Sequence, residues 1–230
     1  MTDIELNVRE VEERLTRACQ RAHRARADVR LLAVSKYVPV ERMREAYELG
    51  IRDFGENHAQ ELREKQTFFE QGSCHPHFIG HLQTNKIKYV CGFVCLTESI
   101  DSLHLLDAMQ KRSRQLDIVS DILIQVNIGD ESQKGGVPVD ELESFTDAAL
   151  ACSSLRLRGL MCVPPALSPE QTRPYFARMR ALFDSLRSAY PDASIDTLSM
   201  GMSHDYDVAA EEGATQVRVG TALFGQRGRK

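Results

Sequence analysis

One lysine near the start of the sequence stands where an amine could do chemistry. Lys36 follows the apolar run at 31–34, LLAV, by two positions. Such a run predicts a buried parallel strand, and parallel barrels place their active groups at the carboxyl ends of the strands. An amine there can form a Schiff base with an aldehyde. The alternative is a lysine that only solvates the end of a strand, which is the commoner role of lysine.

Two stretches of small residues near the end of the sequence could hold a phosphate. They are SMGMS at 199–203 and RVGT at 218–221. Free backbone N–H groups, glycine and hydroxyls favour an anion, although either stretch alone is more often a simple chain reversal. Barrels commonly hold phosphate in the loops after strands seven and eight. The pair of stretches therefore predicts a phosphate site.

An amine and a phosphate site on one barrel mouth together suit a phosphorylated aldehyde, and pyridoxal 5'-phosphate (PLP) fits that description. Arg218 precedes Gly220 by two positions, so both lie on one face of a strand and the guanidinium could point toward the ring. A positive charge near Lys36 would favour the neutral amine, which Schiff-base formation requires. The alternative for Arg218 is a salt bridge to a carboxylate such as Asp207.

Hydrophobic periodicity predicts the elements that must position these groups. The expected strands are 31–34, 51–54, 77–80, 93–97, 122–127, 155–161, 195–200 and 216–219. The expected helices include an amphipathic one at 3–26 and one at 100–116 with Ser99 as its N-cap. Eight strands that alternate with helices predict an α/β fold, a single (β/α)₈ TIM barrel over 1–230 with the 3–26 helix packed on it.

Composition excludes several classes of protein. The 230 residues carry a formal net charge of -4, which argues against a nucleic-acid partner. The first residues form no signal peptide and no apolar run is long enough to span a bilayer, so we expect a cytoplasmic protein. Cys74, His75 and His77 lack a second ligand cluster, so we expect no metal. No exposed apolar helix demands a partner, which makes a monomer the default.

Five segments carry a resemblance to a known family: LLAVSKYVP, FGENHAQE, HFIGHLQTNK, LRGLMCV and LSMGMSHDYDVAAEEGATQVRVGTALFG. Together they closely resemble the pyridoxal phosphate homeostasis protein family over nearly the whole chain. The resemblance implies a barrel like the alanine racemase N-terminal domain. The cofactor-binding residues that it implies are Lys36 for the Schiff base, Ser199, Gly220 and Thr221 for the phosphate, Arg218 for the pyridine nitrogen, and Asn57, His81 and Met200 lining the pocket. One departure is the absence of the tryptophan that many relatives have before HFIG.

The resemblance also implies a role. It describes a PLP-binding protein of intracellular PLP homeostasis that holds the cofactor on Lys36 without turnover and passes it to PLP-dependent apo-enzymes. An arginine at the ring nitrogen fits this role, because it makes the cofactor a weaker electron sink. The alternative is an amino-acid racemase, which needs an acid and a base on both faces and, in alanine racemases, a second domain. A Schiff-base aldolase acting on sugar phosphates is a third possibility.

Two further features have open interpretations. His81 is expected at a strand end, where a histidine is more often a hydrogen-bond partner than an acid or base. The charged loop at 129–136 is long for its place and could close over the ligand, with Lys134 as a second amine; a solvated loop is the alternative.

Overall fold

The computed structural model describes residues 2–131, 133 and 135–226. Its centre consists of eight parallel strands in chain order, and the last pairs with the first to close a barrel. The strands are β1 Arg30–Val34, β2 Asp53–Glu56, β3 His75–Phe78, β4 Leu96–Ile100, β5 Ser120–Val126, β6 Leu155–Cys162, β7 Thr197–Ser199 and β8 Gln216–Val219. The predicted TIM barrel is confirmed.

Helices alternate with the strands and form the outer layer of the barrel. The α-helices of the described residues are α1 Asp3–Arg21, α2 Val40–Glu48, α3 Ala59–Glu64, α4 Gln66–Gln71, α5 Leu103–Gln115, α6 Leu142–Leu150, α7 Pro169–Ala189, α8 Tyr206–Glu211 and α9 Thr221–Phe224. A 3₁₀ helix, Thr84–Tyr89, takes the place of an α-helix after β3.

The extra helix α1 packs against the last helices of the barrel. Its buried stripe includes Ile4, Val11 and Leu15. The Asn7 side chain donates a hydrogen bond of 2.9 Å to the carbonyl of Leu223 in α9. The helix ends at Arg21 rather than at the predicted residue 26, because the chain turns through the left-handed region at His23, where φ is 54°.

Strand β4 is displaced from its predicted position. It occupies Leu96–Ile100 instead of 93–97, and all five of its residues are buried. Ser99, predicted as a helix cap, lies inside this strand, and Ser102 caps α5 by accepting a hydrogen bond from the backbone N–H of Leu105. Local patterning failed here because Glu98 is a fully buried carboxylate, whose partners come from other strands.

Two kinds of feature are absent from the described residues. None of their helices combines the length and the apolar character that spanning a bilayer requires. Over the same part of the chain, no group of three or more histidine, cysteine, aspartate or glutamate side chains is placed to hold a metal ion.

Candidate functional site

A cavity of about 570 Å³ lies at the carboxyl ends of the strands. Lys36 and Arg218 both line it, although they lie 182 positions apart in the sequence, because β1 pairs directly with β8. The lining residues are Val34, Lys36, Asn57, Ile79, Val163, Met202, Ser203, His204, Arg218, Gly220, Thr221 and Ala222. The structure thus brings together five of the eight predicted site residues.

The other three predicted residues do not line this cavity within the described part of the chain. Ser199 and Met200 are fully buried, and the Ser199 hydroxyl is bonded inside the barrel. His81 lies three positions beyond the end of β3, with its side chain 72% exposed and its Nδ1 3.6 Å from Asp101 Oδ2. Lys134 lies outside the described residues.

A tight turn presents Lys36 to the cavity. The backbone N–H of Val38 donates to the carbonyl of Ser35 over 3.0 Å, which makes Lys36 the second residue of the turn. Tyr37, the third residue, has φ of 60°. This left-handed conformation costs a residue with a Cβ atom on the order of 1 kcal/mol, so other contacts must hold the turn in place.

A second turn, between β7 and α8, meets the chain after β8. The hydroxyl oxygen of Ser203 accepts hydrogen bonds from the backbone N–H groups of Gly220 and Ala222, at 3.1 and 3.2 Å. Having accepted two, this hydroxyl keeps its own proton for a third partner. Of the two serines in the predicted SMGMS stretch, Ser203 lines the cavity, whereas Ser199 ends β7 and its side chain is bonded inside the barrel.

Gly201 allows this turn to form. Its φ is 88°, and a Cβ atom added there would lie 2.4 Å from the Cβ of Ala209. We expect Gly201→Ala to lower the free energy of unfolding by about 2 kcal/mol or more, because strain at positive φ and overpacking add together. Urea denaturation measures this loss.

Gly50 provides the matched control, since its φ is 98° and nothing lies within 4 Å of an added Cβ. We expect Gly50→Ala to cost only the backbone strain, about 1 kcal/mol. Equal losses at the two positions would contradict the crowding at Gly201.

Arg218 lines the cavity and is hydrogen-bonded to a buried polar network. Its guanidinium donates to the Ser199 hydroxyl over 2.8 Å and to the carbonyl of Cys162 over 2.7 Å. The Ser199 hydroxyl in turn donates to Glu98 over 2.6 Å. Asp207, considered as a partner of Arg218, pairs instead with Arg14 at 2.7 Å. Arg218 is therefore fixed by groups inside the barrel.

Glu98 is the centre of this network. Its carboxylate accepts from the Gln216 amide and pairs with His77 Nδ1, each at 2.7 Å, and His77 Nε2 lies 3.5 Å from Asp53. Burial by itself would raise the pKa of Glu98, but the hydrogen bond and charge of His77 and the charge of Arg218 outweigh it, so the pKa lies below its ordinary value.

His77 has the opposite shift, for a related reason. Burial by itself would lower the pKa of His77, but its hydrogen bonds to Asp53 and Glu98 and their negative charges outweigh burial, so the pKa is raised. The pairing favours an ionised Glu98 beside a protonated His77. A chain of charged groups thus runs from the cavity, through the barrel interior, toward its opposite end.

The cavity wall offers groups that a phosphorylated aldehyde can use. The Asn57 side-chain oxygen is buried and has no hydrogen-bond partner in the part of the chain that the structure describes. A buried acceptor of this kind is costly unless a ligand or water donates to it. An amine, a guanidinium, the Ser203 hydroxyl and a buried acceptor without a partner among the described residues fit PLP.

Comparisons with known proteins agree with this geometry. The family described as "Alanine racemase, N-terminal domain" matches residues 6–228. A protein of Aquifex aeolicus (strain VF5) named "Pyridoxal phosphate homeostasis protein" is 46% identical over 218 residues, covering 94% of this chain and 95% of that protein.

Solved structures match as well. PipY of Synechococcus elongatus PCC7942, determined with PLP bound, superposes with a TM-score of 0.80 at 33% identity, covering 94% of this chain and 100% of that one. An alanine racemase of Clostridium difficile 630 shares the fold, with a TM-score of 0.73 at 12% identity, and this chain covers 58% of its length.

Proposed function

Since the chain belongs to the family of pyridoxal phosphate homeostasis proteins, we propose that it binds PLP in the cavity between Lys36 and the Ser203 turn and takes part in PLP homeostasis inside the cell. The observation that carries the proposal is that Lys36 and Arg218 line one cavity with Ser203, Gly220 and Thr221. When bound, the cofactor supplies a reactive aldehyde that a neutral amine can capture reversibly.

Each residue of the site has a proposed task. Lys36 supplies the amine for the Schiff base, and Arg218 faces the ring nitrogen. Ser203, in place of Ser199, holds the phosphate together with Gly220 and Thr221. Asn57 accepts a hydrogen bond from the bound molecule through its unpaired oxygen. His81 and Met200 stay outside this set, because neither lines the cavity among the described residues.

The test is the colour and chemistry of the purified protein. We expect protein from cells supplied with vitamin B6 to be yellow, and borohydride to fix the cofactor on the peptide that contains Lys36. A colourless protein on which borohydride fixes only sugar phosphates would favour the aldolase alternative.

We propose further that the protein holds the cofactor without turnover and passes it to apo-enzymes, as a cytoplasmic monomer. Arg218 supports the first part, because a guanidinium facing the pyridine nitrogen disfavours protonation of the ring and makes the cofactor a weaker electron sink. Chiral analysis of alanine incubated with the loaded protein tests this part. Sustained conversion to the other enantiomer would establish the racemase alternative.

The assignment of Ser203 predicts a loss of phosphate affinity. We expect Ser203→Ala to weaken binding of pyridoxine 5'-phosphate, which has no aldehyde, by about fivefold to tenfold, because one hydrogen bond is worth on the order of 1 kcal/mol. Isothermal titration calorimetry measures the change.

Ser199→Ala is the matched comparison for this experiment. We expect it to leave the affinity within about twofold while lowering the stability of the fold, since its hydroxyl bonds to the buried Glu98. If Ser199→Ala weakened binding and Ser203→Ala did not, the phosphate would be held by Ser199 rather than by Ser203.

A further inference from the structure

A buried ion cluster lies next to the turn that carries Lys36. It consists of Glu56, Glu61 and Lys65, and we refer to it as the Lys65 cluster. The Lys65 ammonium donates to Glu56 Oε1 and to Glu61 Oε2, each at 2.8 Å. Only 8% of the Lys65 side chain and none of the Glu56 side chain is exposed. The cluster is therefore an interior feature rather than a surface ion pair.

Both chain neighbours of Lys36 are bonded to this cluster. On one side, the Ser35 carbonyl accepts from the Lys65 ammonium and the Ser35 hydroxyl donates to Glu56 Oε1, each at 2.7 Å. On the other side, the backbone N–H of Tyr37 donates to Glu61 Oε2 at 2.6 Å. The main chain is thus held immediately before and immediately after Lys36.

The cluster also reaches the neighbouring wall of the cavity. Glu56 ends β2 and directly precedes Asn57, and its own carbonyl accepts from the backbone N–H of Ile79 at 2.9 Å. Asn57 and Ile79 line the cavity with Lys36. Three lining residues contributed by three different strand ends are therefore tied to one buried cluster.

Fold stability alone is a weak reason for such a cluster. Desolvation offsets most of the attraction between buried charges, and apolar replacements are often as stable. Burial raises the pKa of Glu56 to about 7 despite the opposing charge and hydrogen bond of Lys65, so desolvation is incompletely offset here. The contacts of the cluster are instead directed at a strained backbone, since Tyr37 has φ of 60°.

We propose that Glu61 and Lys65 are positioning residues for Lys36, which hold the strained Ser35–Val38 turn so that the Lys36 amine meets the aldehyde of a ligand seated by its phosphate. This inference rests on the proposed function. It predicts that loosening the turn slows capture of the aldehyde and leaves binding through the phosphate intact, because reaction depends on the placement of the amine.

The experiment uses Glu61→Gln, which keeps the shape of the side chain and removes its charge. Lys65→Met is less suitable, because it would leave two buried carboxylates without their cation and the protein could fail to fold. Two quantities are measured on the full chain: the rate at which borohydride fixes PLP on Lys36, and the affinity for pyridoxine 5'-phosphate. We expect the first to fall about tenfold and the second to change less than about twofold.

Glu64→Gln is the matched control, since Glu64 is an exposed residue of the same helix α3. We expect it to change neither quantity. Equal fixation rates for Glu61→Gln and the wild type would overturn the inference, as would a parallel loss of both quantities in Glu61→Gln. If the wild type itself fixes no PLP on Lys36, the proposed function fails instead.

A second substitution tests the strained turn directly. Glycine adopts φ near 60° without cost, so Tyr37→Gly should make the turn less dependent on Glu61. We expect Glu61→Gln to slow fixation by less than about threefold in the Tyr37→Gly background, against about tenfold in the wild type. The same loss in both backgrounds would show that Glu61 does not act through this turn.

Discussion

Replacing Lys36 with alanine is expected to abolish the covalent attachment of PLP. The variant has no amine at the end of β1, so borohydride should fix no cofactor on the 31–39 peptide, and the absorption of the covalently held cofactor should disappear. Binding through the phosphate should persist in part, because Ser203 and Gly220 are unchanged. Visible spectra and peptide mapping before and after borohydride treatment measure both effects.

Lys111→Ala is the control for this experiment, because Lys111 is an exposed lysine of α5. It should retain wild-type colour and attachment. If Lys36→Ala kept the wild-type spectrum, a different amine would have to hold the cofactor, and Lys134 of the 129–136 loop would be the first to replace.

Replacing Glu98 with leucine is expected to cause the largest loss of stability. Leucine is similar in size, but it leaves Arg218 and His77 as buried cations without their shared carboxylate. Breaking a buried ion pair in this way costs about 3–5 kcal/mol, which for a chain of this length lowers Tm on the order of 10 °C. Urea and thermal unfolding measure the loss.

An exposed glutamate supplies the control for this substitution. Glu10 lies on the exposed face of α1, and we expect Glu10→Leu to stay within about 0.5 kcal/mol of the wild type. A Glu98→Leu protein as stable as this control would mean that the buried network contributes little to folding.

The dependence of unfolding on pH provides a second readout. The pKa of Glu98 lies below its ordinary value of 4.5, so its contribution to stability is present above that pH and is lost as pH falls through the lowered pKa. The pKa of His77 lies above 6.5, so its contribution is complete below that pH and is lost as pH rises through the raised pKa. Wild type and Glu98→Leu should therefore differ most between pH 4.5 and 6.5.

Local signals in the sequence were sufficient to predict the barrel and some of the residues that line the cavity. Strand β8 occupies Gln216–Val219 as predicted, because its two valines alternate with polar residues between Gly213, which follows a helix, and the turn at Gly220. Lys36 and Gly220 were found for the same reason, since each lies within two positions of the end of a strand that local sequence defines. Because such strands alternate with helices, they are parallel, and their carboxyl ends meet at the same face of the barrel.

Tertiary structure decided which side chains of those strand ends meet the cavity. Ser199 and Ser203 belong to one short stretch, yet one lies inside the barrel and the other in the turn above it, because strand length and facing are set by packing against neighbours. The predicted position of His81 at a strand end was wrong for the same reason: β3 ends at Phe78 rather than at residue 80, so His81 lies three positions beyond the strand. A pattern of residue types along the chain does not contain this information.

The burial and pairing of the ionic groups could not be predicted from the sequence either. Glu98 pairs with His77 of β3 and bonds to Ser199 of β7, and Lys65 joins Glu56 to Glu61 beside the Lys36 turn. A glutamate in a strand or helix reads as a solvated residue until its partners are known. The sequence by itself therefore determined the barrel and the amine at the end of β1. Only the tertiary structure decided which charges are buried together and hold that amine in place, because ion pairing depends on distances between separate elements.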